Sequence, residues 1–137
     1  MTSVLLIEDV PSMQLVYENV LKSAGHKVVS AGTAAEGMRH FGKERPAVVL
    51  VDLMLPDRDG LELIEEFMAA DPYTHVVVIT ANGSINKAVE AMRAGAYEFL
   101  VQPFDESRLL DAVQGALADH GRALPRQGAN GHAPDPA

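Results

Sequence analysis

Five short apolar runs, separated by helical patterns, constrain most strongly what this chain can fold into. They are Val4–Ile7, Lys27–Ala31, Ala47–Val51, Val76–Thr80 and Glu98–Val101. The first, third and fourth are continuously apolar and rich in β-branched residues, as parallel strands covered on both faces are. The second is mixed and the fifth is short, which places these two nearer the sheet edges. Helical patterns fill the gaps. Pro11 suits the first turn of a helix reaching about Ala24, with Met13, Val16, Val20 and Ala24 on one face and Gly25 closing it. Thr33-Ala34-Ala35-Glu36 reads as a capping box opening a second helix that ends before Pro46. Gly60 precedes a third, with Leu61, Ile64 and Phe67 or Met68 inward, stopped by Asp71-Pro72. Ile85, Ala88, Val89 and Met92 stripe a fourth, closed by Gly95. Asp105 caps a fifth, with Leu109, Val113 and Leu117 inward.

The βαβαβαβαβα order predicts an α/β fold, a parallel sheet with helices on both faces. Right-handed crossovers narrow the topology. Alternation alone does not choose between the two common strand orders. The pattern predicts one domain over residues 1–120. Residues 121–137 change character: Gly, Pro and Ala recur there without periodicity, as in a flexible tail or linker. Such a segment suits either a module of a longer protein or a solvated tail.

Composition excludes several functions. With no cysteine, disulfides, thiolate metal sites and cysteine nucleophiles are all ruled out. Net charge is −8 and no Lys/Arg cluster appears, so direct nucleic-acid binding is not expected. No basic region or long apolar run marks a secretory signal, and no run is long enough to span a bilayer. A cytoplasmic location is the expectation.

The chemistry sits where such sheets bind ligands, beyond the carboxyl ends of the strands. Strand one ends in Glu8-Asp9, strand three in Asp52, strand four in Thr80 and strand five in Gln102-Pro103. Three crowded carboxylates repel one another unless a cation or a proton intervenes. All-oxygen ligation with room for water suits Mg2+, which also draws in phosphate oxygens. Asp52 could then act as a nucleophile and form an aspartyl phosphate. The plainer reading is that Glu8 and Asp9 cap a helix and Asp52 merely ends a strand.

These residues lie within motifs of a known family. Ile7-Glu8-Asp9, the run from Val51-Asp52 to Asp59-Gly60, Ile79-Thr80-Ala81, Ala94-Gly95-Ala96-Tyr97-Glu98-Phe99-Leu100 and Pro103-Phe104 resemble the receiver domain of two-component response regulators, in order and with its spacing. The resemblance covers about Ser3 to Leu117. It implies a flavodoxin-like fold with strand order 2-1-3-4-5. It also implies Mg2+-dependent phosphoryl transfer from a sensor histidine kinase to Asp52. Asp9, Asp52 and the Met54 backbone carbonyl are the implied metal ligands, with Glu8 acting through water. The implied phosphoryl-binding and switch residues are Thr80, Ala81, Gln102 and Phe99, although Phe99 also suits a plain core aromatic. Met54 and Asn82 are expected to tune phosphoryl lifetime. The implied output face joins the fourth helix, fifth strand and fifth helix, where Lys87, Glu90, Arg93, Glu98, Arg108 and Asp111 supply mixed charge for a homodimer or for solvation. The Thr80–Ser84 segment and the following helix look most like receivers of sigma-54-dependent activators, which implies a C-terminal effector domain in a longer parent protein.

One position departs from the pattern. The family nearly always has lysine before the Pro-Phe pair, and this chain has Gln102. Mg2+ and a lysine together offset about three negative charges; with glutamine, about one remains uncompensated. Two readings follow: phosphorylation persists but is slower or more weakly coupled, or the domain is a degenerate receiver that signals by binding alone. The Gln102–Pro103 bond is expected to be cis, as in the family. Two rivals fare worse. A phosphatase with an Asp nucleophile usually carries a second acid two residues on, where this chain has Met54, so a turnover enzyme is not expected. A flavin site needs a Ser/Thr/Gly phosphate loop after strand one, where Glu8-Asp9-Val10-Pro11 stands.

Overall fold

Each β-branched run forms a strand, and each helical pattern between them returns the chain for the next. A computed structural model of the chain describes residues 4–81 and 83–123. The strands are β1 Val4–Ile7, β2 Val28–Ala31, β3 Val48–Asp52, β4 His75–Thr80 and β5 Glu98–Val101. The helices are α1 Pro11–Ser23, α2 Ala34–Glu44, α3 Gly60–Ala70, α4 Ile85–Ala94 and α5 Glu106–Ala123. All strand pairs are parallel, and the sheet order is β2-β1-β3-β4-β5. The mixed run β2 and the short run β5 are the two edges, as their composition predicts.

Alternate strand residues feed two cores. Leu5, Val49, Val51, Val76 and Val78 face α2, α3 and α4, with Phe41, Leu63, Ile64 and Phe67. Val4, Leu6, Leu50, Val77 and Ile79 face α1 and α5, with Tyr17, Leu21, Leu109 and Val113. Burying one large apolar side chain of this kind contributes about 1.5–3 kcal/mol.

Helix starts follow their side chains. The Thr33 side chain accepts from the Glu36 N–H, and Glu36 Oε1 accepts from the Gly32 N–H at 2.8 Å, one residue before the usual capping-box partner. Asp59 and Ser84 cap α3 and α4 in the same way.

The expected α4 stripe faces solvent, and the α1 stripe is half right: Met13 and Val20 pack against the core, but Val16 and Ala24 do not. In α1, Tyr17 and Leu21 are buried, whereas Val16 is 51% exposed and Ala24 lies at the surface. The stripe Met13-Tyr17-Leu21 is as regular as Met13-Val16-Val20, and the aromatic ring decides the phase by stacking on Phe104. In α4, Ile85, Val89 and Met92 are 81%, 42% and 48% exposed, and Ala91 is the buried contact. The small side chain of Ala91 is thus the buried one, and the larger residues point outward. At the other end of the chain, α5 continues through Gly121 to Ala123, past the expected domain boundary. The rest of the expected tail lies outside the described residues.

Candidate functional site

Parallel strands with aligned ends bring the candidate acids together. Glu8 and Asp9 follow β1, and Asp52 is the last residue of its neighbour β3. Gly60 fixes that end: its N–H donates to the Leu53 carbonyl at 3.1 Å, and a Cβ there would lie 2.5 Å from Leu53 Cα. Only glycine permits so close a return of the chain onto the strand. Asp57 anchors the same loop to α2, accepting from the Ala34 and Ala35 N–H groups at 2.8 and 3.0 Å. Those two donors hold its carboxyl below the usual carboxylate range.

Glu8, Asp9 and Asp52 each offer a carboxylate oxygen, all within 4.8 Å of one another. Glu8 is 1% exposed and Asp52 8%. Asp52 Oδ1 accepts from the Met54 N–H at 2.9 Å, and Glu8 Oε2 accepts from the Val10 N–H at 3.1 Å. Burial, together with the neighbouring negative charges, pushes the Glu8 carboxyl up to about 7 and raises Asp52 as well. The second Glu8 oxygen, Oε1, is buried with no hydrogen-bond partner. An acceptor stripped of water and given no donor is costly, and a cation among three carboxylates would satisfy it. The donor set is all oxygen, which fits a hard divalent cation such as Mg2+.

The other expected residues are distributed around this pocket. Thr80 is fully buried at the end of β4, one position beyond the partner of Asp52 in the β3–β4 register. Its carbonyl accepts from the Gln102 N–H at 2.8 Å. Ala81 follows at the surface, and Asn82 lies outside the described residues. Met54 reaches the pocket through its backbone, while its side chain is exposed. Phe99 is half-buried in β5 against the core under α3 and α4. The Gln102–Pro103 bond is cis.

The Gln102 side chain turns elsewhere. Its Nε2 donates to the Tyr17 hydroxyl on α1. Tyr17 carries no role in the sequence pattern, and no local signal there marks it as the partner of Gln102. On the expected output face, Arg108 pairs with Glu98 at 2.5 Å, and Lys87 lines a cleft of about 440 Å³ with Met54, Asp57 and Asp59.

The response regulator receiver domain family matches residues 4–114. The chain belongs to this family. It is a receiver domain of two-component response regulators, and its acid pocket is consistent with phosphorylation-based switching. The receiver is 40% identical over 116 residues to the C4-dicarboxylate transport transcriptional regulatory protein DctD of Pseudomonas aeruginosa, covering 85% of this chain and 25% of DctD. It is 32% identical over 117 residues to the chemotaxis protein CheY of Listeria monocytogenes, covering 85% of this chain and 98% of CheY. A receiver domain structure from Clostridium thermocellum superposes with a TM-score of 0.85 at 25% identity, covering 90% of this chain and all of that one. The receiver thus spans about a quarter of the transcriptional regulator and nearly all of the chemotaxis protein. These relatives are signalling regulators. No described helix is long and apolar enough to cross a membrane.

Proposed function

We propose that this receiver takes a phosphoryl group on Asp52 from a sensor histidine kinase and presents a changed surface to a partner. The observation that carries the reading is the convergence of Glu8, Asp9 and Asp52 around an orphaned, buried carboxylate oxygen. Asp9, Asp52 and the Met54 carbonyl would hold Mg2+, with Glu8 reaching it through water. Bound there, Mg2+ supplies the positive charge that lets an anionic phosphodonor approach the acids.

Asp52 supplies the nucleophilic oxygen. Its bond to phosphorus forms as the donor's phosphorus–nitrogen bond breaks, and the electron pair returns to the donor imidazole, which keeps its other proton. The Met54 N–H on Asp52 Oδ1 orients the carboxylate and leaves the second oxygen for attack. Thr80 and the Ala81 N–H donate to the arriving phosphoryl oxygens. Thr80 moves toward them, and Phe99 follows into the space it leaves. Met54 and Asn82 flank the path of hydrolytic water and set phosphoryl lifetime. Water attacks phosphorus in the Asp52 acyl phosphate and breaks its bond to the carboxylate oxygen, releasing inorganic phosphate and restoring Asp52, so the domain is a switch and not a turnover enzyme.

The exposed apolar face of α4 supports a homodimer, or an effector contact, through α4, β5 and α5. The quarter-length match to DctD supports a C-terminal effector domain in a longer, sigma-54-dependent activator working in the cytoplasm, with nucleic-acid binding left to that other part. Titration with beryllofluoride at saturating Mg2+ tests the reading. Saturable NMR shifts around Thr80 and Phe99 that vanish in Asp52→Ala are expected. No shift at any concentration sinks it.

A second reading has one observation in its favour. The Gln102 amide is engaged by Tyr17, as it would be in a degenerate receiver that binds partners without phosphorylation. Gln102→Lys separates the two. Faster labelling by a small-molecule phosphodonor marks an active site short of one charge; no labelling in either protein marks the interaction module.

A further inference from the structure

Tyr17 grips the β5–α5 loop twice. Its ring stacks on Phe104 with centroids 5.6 Å apart and planes 14° from parallel. Its hydroxyl accepts from Gln102 Nε2, joining residues 85 positions apart in sequence. Tyr17 is 5% exposed, so neither contact is a loose surface encounter. The hydroxyl lies close enough to the acid pocket to feel Glu8 and Asp52, and burial raises the phenol, which keeps it protonated and neutral.

A lysine at position 102 would be drawn to three carboxylates by its charge, and a neutral phenol could not hold it back. A glutamine amide carries no charge, so a single hydrogen bond to a buried hydroxyl competes on equal terms. We propose that Tyr17 is a positioning residue that holds the Gln102 amide on α1, so that a phosphoryl group on Asp52 must take the amide from the Tyr17 hydroxyl. This rests on the reading of Asp52 as phosphoacceptor. Tyr17 thereby sets the threshold of the switch and couples α1 to the loop that responds. On dephosphorylation the amide returns to the phenol.

Four proteins test it: wild type, Tyr17→Phe, Gln102→Met and the double variant, each titrated with beryllofluoride at saturating Mg2+. Tyr17→Phe keeps the ring and its stacking on Phe104 and removes only the hydroxyl. It is expected to tighten beryllofluoride binding about three- to tenfold, the worth of one neutral hydrogen bond. The gain is expected to vanish in the Gln102→Met background. The Gln102 side-chain amide resonances in wild type are expected to move on titration toward their positions in Tyr17→Phe, a change read on the unaltered protein. Unchanged or weaker binding in Tyr17→Phe, the same gain with and without Gln102→Met, or amide resonances that stay fixed would each overturn the proposal. A wild-type response that ignores Tyr17 defeats this role alone, whereas no Asp52-dependent response in any of the four defeats the phosphoacceptor reading and this role with it.

Discussion

Helices α3 and α4 have 11 and 10 residues and pack against the same core, yet they are anchored differently. In α3, Leu63, Ile64 and Phe67 are all fully buried, and Phe67 meets Phe41 with ring centroids 4.5 Å apart. In α4, Ala91 is the buried residue, and the large apolar side chains point to solvent. Asp52 stands at the end of the strand leading to α3, and Thr80 at the end of the strand leading to α4. The proposed nucleophile is thus fixed to the rigid element and the proposed responding hydroxyl to the lightly held one. A switch needs this asymmetry: the acceptor must not move when charge arrives, and the sensor must move at low cost.

The largest effect expected tests the anchoring directly. Phe67→Ala removes a fully buried ring and is expected to cost about 3–5 kcal/mol in urea unfolding. Ile85→Ala, in the corresponding stripe of α4, is expected to stay within about 0.5 kcal/mol. Equal losses at the two sites would erase the distinction.

The next effect belongs to the rigid side. Glu8 sits at about 7 in the folded protein against an ordinary 4.5, because burial disfavours its charged form. Between those values the folded state binds more protons than the unfolded chain, so stability falls as pH rises, and the loss is complete above about 7. Asp52 is shifted in the same direction. His120, held low by burial and by His75, works the opposite way. In a chelator, wild type is expected to lose roughly 2–3 kcal/mol relative to Glu8→Gln between about pH 5 and about pH 8. Parallel pH profiles for the two proteins would show that burial does not hold the Glu8 proton in the folded state. Added Mg2+ is expected to remove the difference.

A smaller effect lies at the seam between the two helices. Gly95 ends α4 at φ +115°, and a Cβ there would come within 2.7 Å of Met68 Cγ on α3. Gly95→Ala is expected to cost roughly 1–2 kcal/mol. Hydrogen exchange is expected to speed up in α4 while α3 keeps its protection; faster exchange in both would make them one cooperative unit.

The strands were legible because continuous β-branched runs have no other use in a chain of this length, and the sheet edges because mixed or short runs cannot be covered on both faces. The acid pocket was legible for the same reason, since Glu8, Asp9 and Asp52 directly follow or end those runs. The phases of α1 and α4 were not. Each carries two neighbouring stripes of period 3.6, and bulk does not choose between them: α1 buries Tyr17 and Leu21 in place of the smaller Val16 and Ala24, whereas α4 buries small Ala91 and leaves Ile85, Val89 and Met92 outside. The Gln102–Tyr17 contact was not legible either. It spans 85 positions, and no local pattern marks a phenol in α1 as the partner of an amide beyond β5.

The smallest effect on stability is expected on the outward face of α4, where it says the most about function. Ile85 and Val89 lie four residues apart and so on one side of the helix, 81% and 42% exposed. Exposed side chains gain little from folding, so Ile85→Ser with Val89→Ser is expected to leave unfolding within about 0.5 kcal/mol of wild type. A partner surface has a different account, because large apolar groups lose their contact with water only on association. Sedimentation of the beryllofluoride-bound protein is expected to show weaker self-association in the double variant. If wild type and variant sediment alike at every concentration, the exposed stripe has no copy of itself to meet, and the homodimer through α4 fails.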